Sequence, residues 1–147
     1  MASRLSKKDY KYFDMARKAA QESDFDNFKL GCVIVHKNKI ISIGHNSKKT
    51  SPVQKKYNHY RHFNTSNKPV KHSLHAEISA LTSIPKCVDV NLDYSQVKVY
   101  IYRISPGKRL FQGLARPCAG CLQALRDKGV RHIFYTTDDG FVREELF

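Results

Sequence analysis

Acidic residues are scarce in this chain of 147 residues, and none lies between Asp26 and Glu77. The same interval holds ten lysine and arginine residues, and the formal net charge of the whole chain is +13. Such an imbalance indicates a polyanionic partner or a phosphorylated substrate. From charge alone, a solvated basic surface that favours solubility explains it equally well.

Long apolar runs are absent too. No stretch reaches the ~18 residues that a membrane-spanning helix needs, and the first residues, MASRLSKKDYKYF, have no apolar segment of a signal peptide. We therefore expect a cytoplasmic protein. In that reducing compartment, four cysteines are more typical of metal binding, catalysis or burial than of disulfide bonds.

No internal repeat or linker divides the sequence, and its length suits one domain with a real core. We therefore predict a single domain over residues 1–147. A basic insertion at about 47–72 is rich in Lys, Asn, Ser and His and has no sustained period, so we expect a long loop there.

The periodic segments predict alternating helices and strands. Ser6 and Asp9 form an approximate capping box for a helix over about 7–22. The further elements predicted are a hairpin around Lys37-Asn38-Lys39, a helix from near Leu74 to before Pro85, a strand in QVKVYIYRI, a helix from Pro117 to Gly129 and a last clear strand in VRHIFYTT. This order predicts a mixed central sheet covered by helices, a three-layer α/β/α domain.

The stretch ARPCAGCLQAL places Cys118 and Cys121 three residues apart at the start of a helix. That spacing puts both thiols on one face. Free N–H groups and the helix dipole at a helix start favour thiolates. Two soft anions facing one way suit a zinc ion, which takes three protein ligands in a typical catalytic site.

The stretch SLHAEISAL offers the third ligand, His75, and an acid close to it, Glu77. Zinc lowers the pKa of a bound water toward ~7, so a hydroxide nucleophile forms at neutral pH. Glu77 lies where it can carry a proton from that water to a leaving group. A purely structural zinc site is the alternative interpretation.

With a proline directly before Cys118, these residues match the signature H-x-E…P-C-x-x-C. The sequence resembles the zinc-dependent cytidine and deoxycytidylate deaminase superfamily over about residues 9–137. The resemblance implies a cytidine-deaminase-like fold, a Zn²⁺ cofactor and hydrolytic deamination of a cytosine or an adenine. It also implies that the asparagine ending IISIGHN, Asn46, contacts the substrate sugar. Further substrate contacts are predicted at Ala76, Arg116 and Pro117.

Two departures from the family pattern concern the substrate. Between Glu77 and Pro117 lie 39 residues, more than is usual in the family, and Arg116 stands where relatives more often have a smaller or acidic residue. The insertion is closer in length to that of the deoxycytidylate branch. Its histidines, His59, His62 and His72, either hold a second metal or are polar loop residues.

Three functions remain open at this stage. The first is deamination of a free pyrimidine nucleotide such as dCMP, in an enzyme that often forms homo-oligomers. The phosphate would be bound by basic residues such as Arg103, Lys108, Arg109 and Arg116.

The second is deamination of cytosine or adenine in single-stranded DNA or RNA, since Tyr57, Tyr60 and Phe63 alternate with Lys55, Lys56 and Arg61. The third is a catalytically silent, zinc-stabilised nucleic-acid-binding protein, against which the intact Glu77 argues.

Overall fold

The two faces of the central sheet carry separate apolar clusters. The computed structural model describes residues 5–25, 28–60, 73–105, 111–112 and 114–146. Its strands are β1 Lys29–His36, β2 Lys39–His45, β3 Ser47–Thr50, β4 Ser73–Leu74, β5 Val97–Ser105, β6 Phe111–Gln112, β7 His132–Thr137 and β8 Gly140–Glu145. Its α-helices are α1 Lys7–Gln21, α2 Pro52–Asn58, α3 Ala76–Thr82, α4 Lys86–Asp89 and α5 Ala119–Lys128.

The main sheet has the order β2-β1-β5-β7-β8, and β6 pairs with β5. The β5–β7 pair is parallel, and the other pairs are antiparallel. A helix must connect two parallel neighbours, and α5 lies between β5 and β7 in the chain. The predicted mixed sheet is therefore confirmed.

Strand residues alternate between the two faces, as the two-residue period of a strand requires. The apolar cluster on one face lies between the sheet and α1 and includes Phe13, Val33, Val35, Tyr100 and Phe134. The cluster on the opposite face lies between the sheet and helices α3 and α5 and includes Cys32, Ile34, Ile78, Val99, Ile101, Leu125 and Ile133. This division makes three layers, helix on sheet on helix, as predicted.

Local signals in the sequence predicted most of the element ends. Ser6 and Asp9 do form a reciprocal capping box. Lys37 and Asn38 have positive φ angles of 48° and 65°, as a tight hairpin turn with the twist of its strands requires. Gly129, with a φ of 96°, ends α5 in the left-handed region that glycine tolerates best.

Three predictions about the elements were wrong. The insertion is more than a loop, because it contains β3 and α2, and β3 pairs with β4. The strand in VRHIFYTT is followed by another, β8, which completes the sheet edge. Pro117 is not the first residue of its helix, because Cys118 keeps an extended backbone (ψ 169°) and is itself the N-cap.

The helix α3 lies very close to β2. A Cβ atom on Gly44 would come within 2.4 Å of the Ala80 backbone nitrogen, so the helix could not approach the strand this closely with any larger residue. The Ser42 hydroxyl also donates to the Ala80 carbonyl at 2.5 Å. These contacts fix α3, and with it the chain around His75 and Glu77, against the sheet. Among the described residues, no helix is long and apolar enough to cross a membrane.

Candidate active site

The first residues of α3 and α5 meet at one end of the sheet. His75 is the N-cap of α3, Cys118 is the N-cap of α5, and Cys121 lies one turn further along α5. The His75 Nδ1 atom lies 3.3 Å from the Cys121 Sγ and 3.6 Å from the Cys118 Sγ. The ligand atoms of all three residues lie within 4.8 Å of one another, so the predicted cluster forms.

The two thiols differ in their readiness to lose a proton. The hydrogen bond from Cys121, together with His75, lowers the pKa of Cys118 to about 3 despite partial burial. The hydrogen bond to Cys118 and near-complete burial raise the pKa of Cys121 well above its ordinary 9.0. The Cys118 thiol therefore loses its proton more readily than the Cys121 thiol, and metal binding, which needs deprotonated thiols, would release protons from the pair.

The donor set fits zinc. Two sulfurs and one imidazole nitrogen are ligands that Zn²⁺ prefers. With Zn–S and Zn–N bonds of ~2.3 and ~2.0 Å, tetrahedral ligands would lie roughly 3.5 Å apart. The observed separations from Nδ1, 3.3 and 3.6 Å, are close to that value. The three residues leave a fourth ligand position open, as in catalytic zinc sites.

Glu77 is a buried acid in the first turn of α3, beside this cluster. Its side chain is 3% exposed, and its Oε1 atom has no hydrogen-bond partner among the described residues. Burial raises its pKa above the ordinary 4.5, although the neighbouring His75 opposes the shift. A buried carboxyl with a free oxygen is costly unless a ligand or a proton satisfies it, so Glu77 is placed for binding or proton transfer.

A cavity of about 220 Å³ opens at this point. His75, Cys118 and Glu77 line it on one side. Phe25 and Phe28, whose ring centroids lie 5.0 Å apart, also line it. Arg103 belongs to the lining too, and its guanidinium lies 4.6 Å from the centre of the Phe28 ring. The cavity therefore combines an aromatic wall and a cation with the predicted metal donors.

Residues 6–137 match the family model for the cytidine and deoxycytidylate deaminase zinc-binding region. This chain belongs to that deaminase family. It is accordingly a zinc-dependent hydrolytic deaminase, as the signature predicted. Among curated proteins, no sequence match was found.

Solved structures show the same fold for this deaminase. A cytidine deaminase from Burkholderia pseudomallei is 15% identical with a TM-score of 0.57, and the match covers 97% of this chain and 94% of that chain. The dCMP deaminase of cyanophage S-TIM5, in complex with dCMP and dUMP, is 18% identical with a TM-score of 0.57. That match covers 91% of this chain and 85% of the phage chain.

Asn46 lines the cavity of the deaminase and is 3% exposed. Its Oδ1 atom accepts hydrogen bonds from the Ser23 hydroxyl at 2.5 Å and from the Leu30 N–H at 2.9 Å. Its Nδ2 atom donates to the Phe28 carbonyl at 3.1 Å. The side chain is thus held firmly, and one of its two Nδ2 hydrogens is not used in these bonds.

Arg116 also lines the cavity, but its charge is balanced. Its Nε and Nη2 atoms donate to the two carboxylate oxygens of Glu144, both at 3.0 Å. Glu144 lies on β8 and also accepts from the Tyr135 hydroxyl at 2.9 Å. Strand β8, which was not predicted, therefore supplies Glu144, the partner of the predicted substrate-binding residue Arg116.

The remaining predicted residues are placed as follows. Ala76 and Pro117 are buried and lie outside the lining of this cavity, so their substrate contacts stay predictions. His59 is exposed, and its ring centroid lies 4.0 Å from that of Tyr60. Six of the predicted residues lie outside the described part of the chain: Arg61, His62, Phe63, His72, Lys108 and Arg109.

Sequence reasoning overlooked the aromatic wall. The signal was present in FDNF, where Phe25 and Phe28 stand three residues apart between a helix and a strand. Apolar residues between two elements usually pack into the core, so nothing in their spacing distinguishes a cavity wall. Only the fold brings these rings to the cavity that contains Glu77.

Proposed function

We propose that this deaminase converts the cytosine of a free (deoxy)cytidine nucleotide such as dCMP to uracil, with release of ammonia. The observation that carries the proposal is the position of Arg103 in the same cavity as Glu77 and the cysteine and histidine cluster. A guanidinium there matches a phosphate, which a nucleotide has and a nucleoside lacks. Such an activity belongs to nucleotide metabolism, and a cytoplasmic location remains our prediction.

In this proposal His75, Cys118 and Cys121 hold the zinc ion. When bound, zinc supplies a hydrolytic nucleophile at neutral pH, because it lowers the pKa of water toward ~7. The chain fixes all three donors at helix starts whose positions the sheet determines. Their mutual distances and the softness of their atoms support the assignment.

Glu77 is the proton carrier in this proposal. It takes a proton from the attacking water and delivers it to the cytosine ring. It then takes the remaining hydroxyl proton of the adduct and delivers it to the departing amine, so it acts in turn as a base and as an acid. Support comes from its burial, from its unpartnered Oε1 and from its place two residues after His75. A carboxyl already engaged in strong hydrogen bonds would be a poorer carrier.

Arg103 retains the capacity to bind phosphate. Its Nε donates to the Ser105 hydroxyl at 3.2 Å and its Nη1 to the Leu114 carbonyl at 3.3 Å. A guanidinium has five N–H donors, so three remain beyond these two bonds. Within the described residues, no carboxylate forms an ion pair with Arg103, whereas Arg116 is paired with Glu144. We therefore assign the phosphate to Arg103 before Arg116.

Asn46 and Phe28 complete the proposed substrate contacts. The unused Nδ2 hydrogen of Asn46 is suited to a sugar hydroxyl, as the family resemblance implies. The Phe28 ring lines the same cavity and is suited to apolar contact with the base. A fixed amide and a fixed ring orient the nucleotide at little entropic cost.

The test is a mass-spectrometric search for the one-dalton gain of deamination. Free nucleosides, free nucleotides and single-stranded DNA and RNA oligomers are incubated with the enzyme, and Glu77→Ala is the blank. Conversion of dCMP or a related free nucleotide is the expected result. Conversion confined to the oligomers would contradict the proposal.

The second candidate is deamination of cytosine or adenine in single-stranded DNA or RNA. It is favoured by the surface of α2, where Tyr57 and Tyr60 stack with centroids 6.2 Å apart and Tyr60 is 41% exposed. Lys56 lies over the Tyr57 ring at 5.3 Å. However, the Tyr57 hydroxyl donates to Asp127 on α5 at 2.9 Å, so that ring also serves packing.

Salt dependence separates the two candidates. Each phosphate contact of a polymer releases counterions, so polymer binding should weaken steeply between 50 and 200 mM salt, by roughly 10³-fold for six contacts. A flat response would exclude the polymer as the substrate.

A further inference from the structure

Two fully buried side-chain amides lie on α2, the helix inside the basic insertion. Gln54 and Asn58 are both 0% exposed. Burying an amide is costly unless its polar atoms are hydrogen-bonded. The Gln54 Nε2 donates to the Asn58 Oδ1 at 2.7 Å, and the Gln54 Oε1 accepts from the backbone N–H of His75 at 3.0 Å.

We propose that Gln54 is a positioning residue that fixes His75, through its backbone N–H, in the conformation required for metal binding. The proposal rests on the assignment of His75 as a zinc ligand under the proposed function. It gives the insertion a role in the metal centre that is independent of any substrate contact.

The backbone N–H of His75 donates to a side chain of the insertion, the Gln54 Oε1. As the N-cap of α3, His75 has an extended conformation (φ −86°, ψ 155°), and its side chain makes no capping bond. Its imidazole instead faces the two sulfurs. Because the N-cap residue is only half inside the helix, its N–H has no acceptor within α3. The Gln54 Oε1 supplies that acceptor and so determines the angle at which the chain enters the helix.

The helix that carries Gln54 is itself fixed at both ends. Ser51 caps its start by accepting from the Gln54 N–H at 3.4 Å. Near its end, the Tyr57 hydroxyl donates to the Asp127 carboxylate on α5 at 2.9 Å. Since α5 carries Cys121, α2 contacts both elements that supply metal donors, and Gln54 completes the connection to His75.

The pairing of β3 with β4 adds a restraint on the same side. Ser47 lies opposite Leu74, and Thr50 lies opposite Ser73. Both ends of the insertion are thereby joined immediately before His75. Neighbours that orient a metal ligand commonly change metal affinity by 10- to 100-fold when they are replaced.

The test compares Gln54→Met with Gln123→Met in the zinc-loaded full chain. Methionine has a similar length but cannot replace the amide. Gln123 is a matched control, because its Nε2 donates to Asp127 at 2.8 Å across the same i,i+4 spacing, on a half-buried position of α5. Zinc affinity is measured by competition with a chelator of known affinity, so the readout does not depend on the substrate.

We expect Gln54→Met to bind zinc roughly 10- to 100-fold more weakly and Gln123→Met to bind like the wild type. If Gln54→Met does not fold, Gln54→Asn replaces it. Its amide is one methylene too short to reach His75, so weaker zinc binding is again expected.

A merely structural role predicts something different. Gln54→Met would then lower the unfolding temperature of zinc-loaded and zinc-free protein equally and leave zinc affinity unchanged, which would overturn the proposal. His75→Ala separates the two assignments. If it loses zinc while Gln54→Met retains wild-type affinity, only the positioning role fails. If His75→Ala retains stoichiometric zinc, the ligand assignment fails as well.

Discussion

Replacing Arg103 by methionine tests the proposed phosphate contact directly. Methionine keeps an unbranched apolar side chain, but it is shorter than arginine and removes the charge, all the donors and the guanidinium that lies over Phe28. The bonds lost within the protein go to Ser105 and to Leu114, which is 53% exposed, so water can take the place of the guanidinium there. We therefore expect the fold to be retained.

The magnitude follows from the type of bond removed. A hydrogen bond to a charged group contributes about 1.5–3 kcal/mol. At 1.36 kcal/mol for each tenfold change, kcat/KM for dCMP should fall about 10- to 150-fold. Deoxycytidine has no phosphate, so its kcat/KM should hardly change. Arg103→Lys should recover part of the loss, because it restores the charge without the planar fork.

The assay is steady-state deamination of dCMP and deoxycytidine by the wild type, Arg103→Met, Arg103→Lys and a control, Arg131→Met. Arg131 is exposed and lies outside the cavity lining. An equal loss on both substrates would mean that Arg103 only shapes the cavity. Unchanged kinetics on both would place the phosphate elsewhere. Either result would refute the assignment.

Three further predictions concern the site and the core. Glu77→Ala should keep its zinc, measured by elemental analysis, yet lose about 10²- to 10⁴-fold in turnover; near-normal turnover would exclude its assigned role. Cys118→Ala should lose both zinc and thermal stability, and stoichiometric zinc in that variant would show that the ligands are wrong. Burial opposes ionisation of Asp9, but hydrogen bonds from Tyr100 and Ser6 lower its pKa below 3.8. Its contribution to stability is therefore present above pH ~3.8 and is lost as the pH falls further. In urea unfolding, Tyr100→Phe should cost about 1.5–3 kcal/mol at pH 7, and this cost should shrink as the pH is lowered below 3.8; a cost that does not change with pH would contradict the pair.

Local patterns carried most of what the sequence could predict. Cys118 and Cys121 lie three residues apart, so helix geometry alone predicts that they share one face. The association of His75 and Glu77 with these cysteines was inferred from the signature, and the ligand atoms of His75, Cys118 and Cys121 do lie within 4.8 Å of one another. The alternation in β1, β5 and β7 likewise predicted the sheet, because each strand carries its own period.

Contacts between distant segments could not be predicted in this way. Gln54 bonds to a residue 21 positions away, and Arg116 bonds to Glu144, 28 positions away. No local period marks such partners. The helix α2 is only seven residues long and buries two amides where a periodic pattern would have apolar residues, so the insertion resembled a loop. In β8, charged residues at Arg143, Glu144 and Glu145 obscured the strand.

The proposed metal donors also have a consequence for folding. Cys118 lies 43 positions after His75, so an ion held by both closes a loop of that size. In the chain-entropy model, a covalent cross-link over such a loop lowers the conformational entropy of the unfolded chain, which raises its free energy by about 4 kcal/mol at 25 °C. Zinc would therefore act as a reversible cross-link, and its contribution to the free energy of unfolding would rise with the concentration of free metal. The thermal stability of this enzyme would then report the zinc supply of its surroundings.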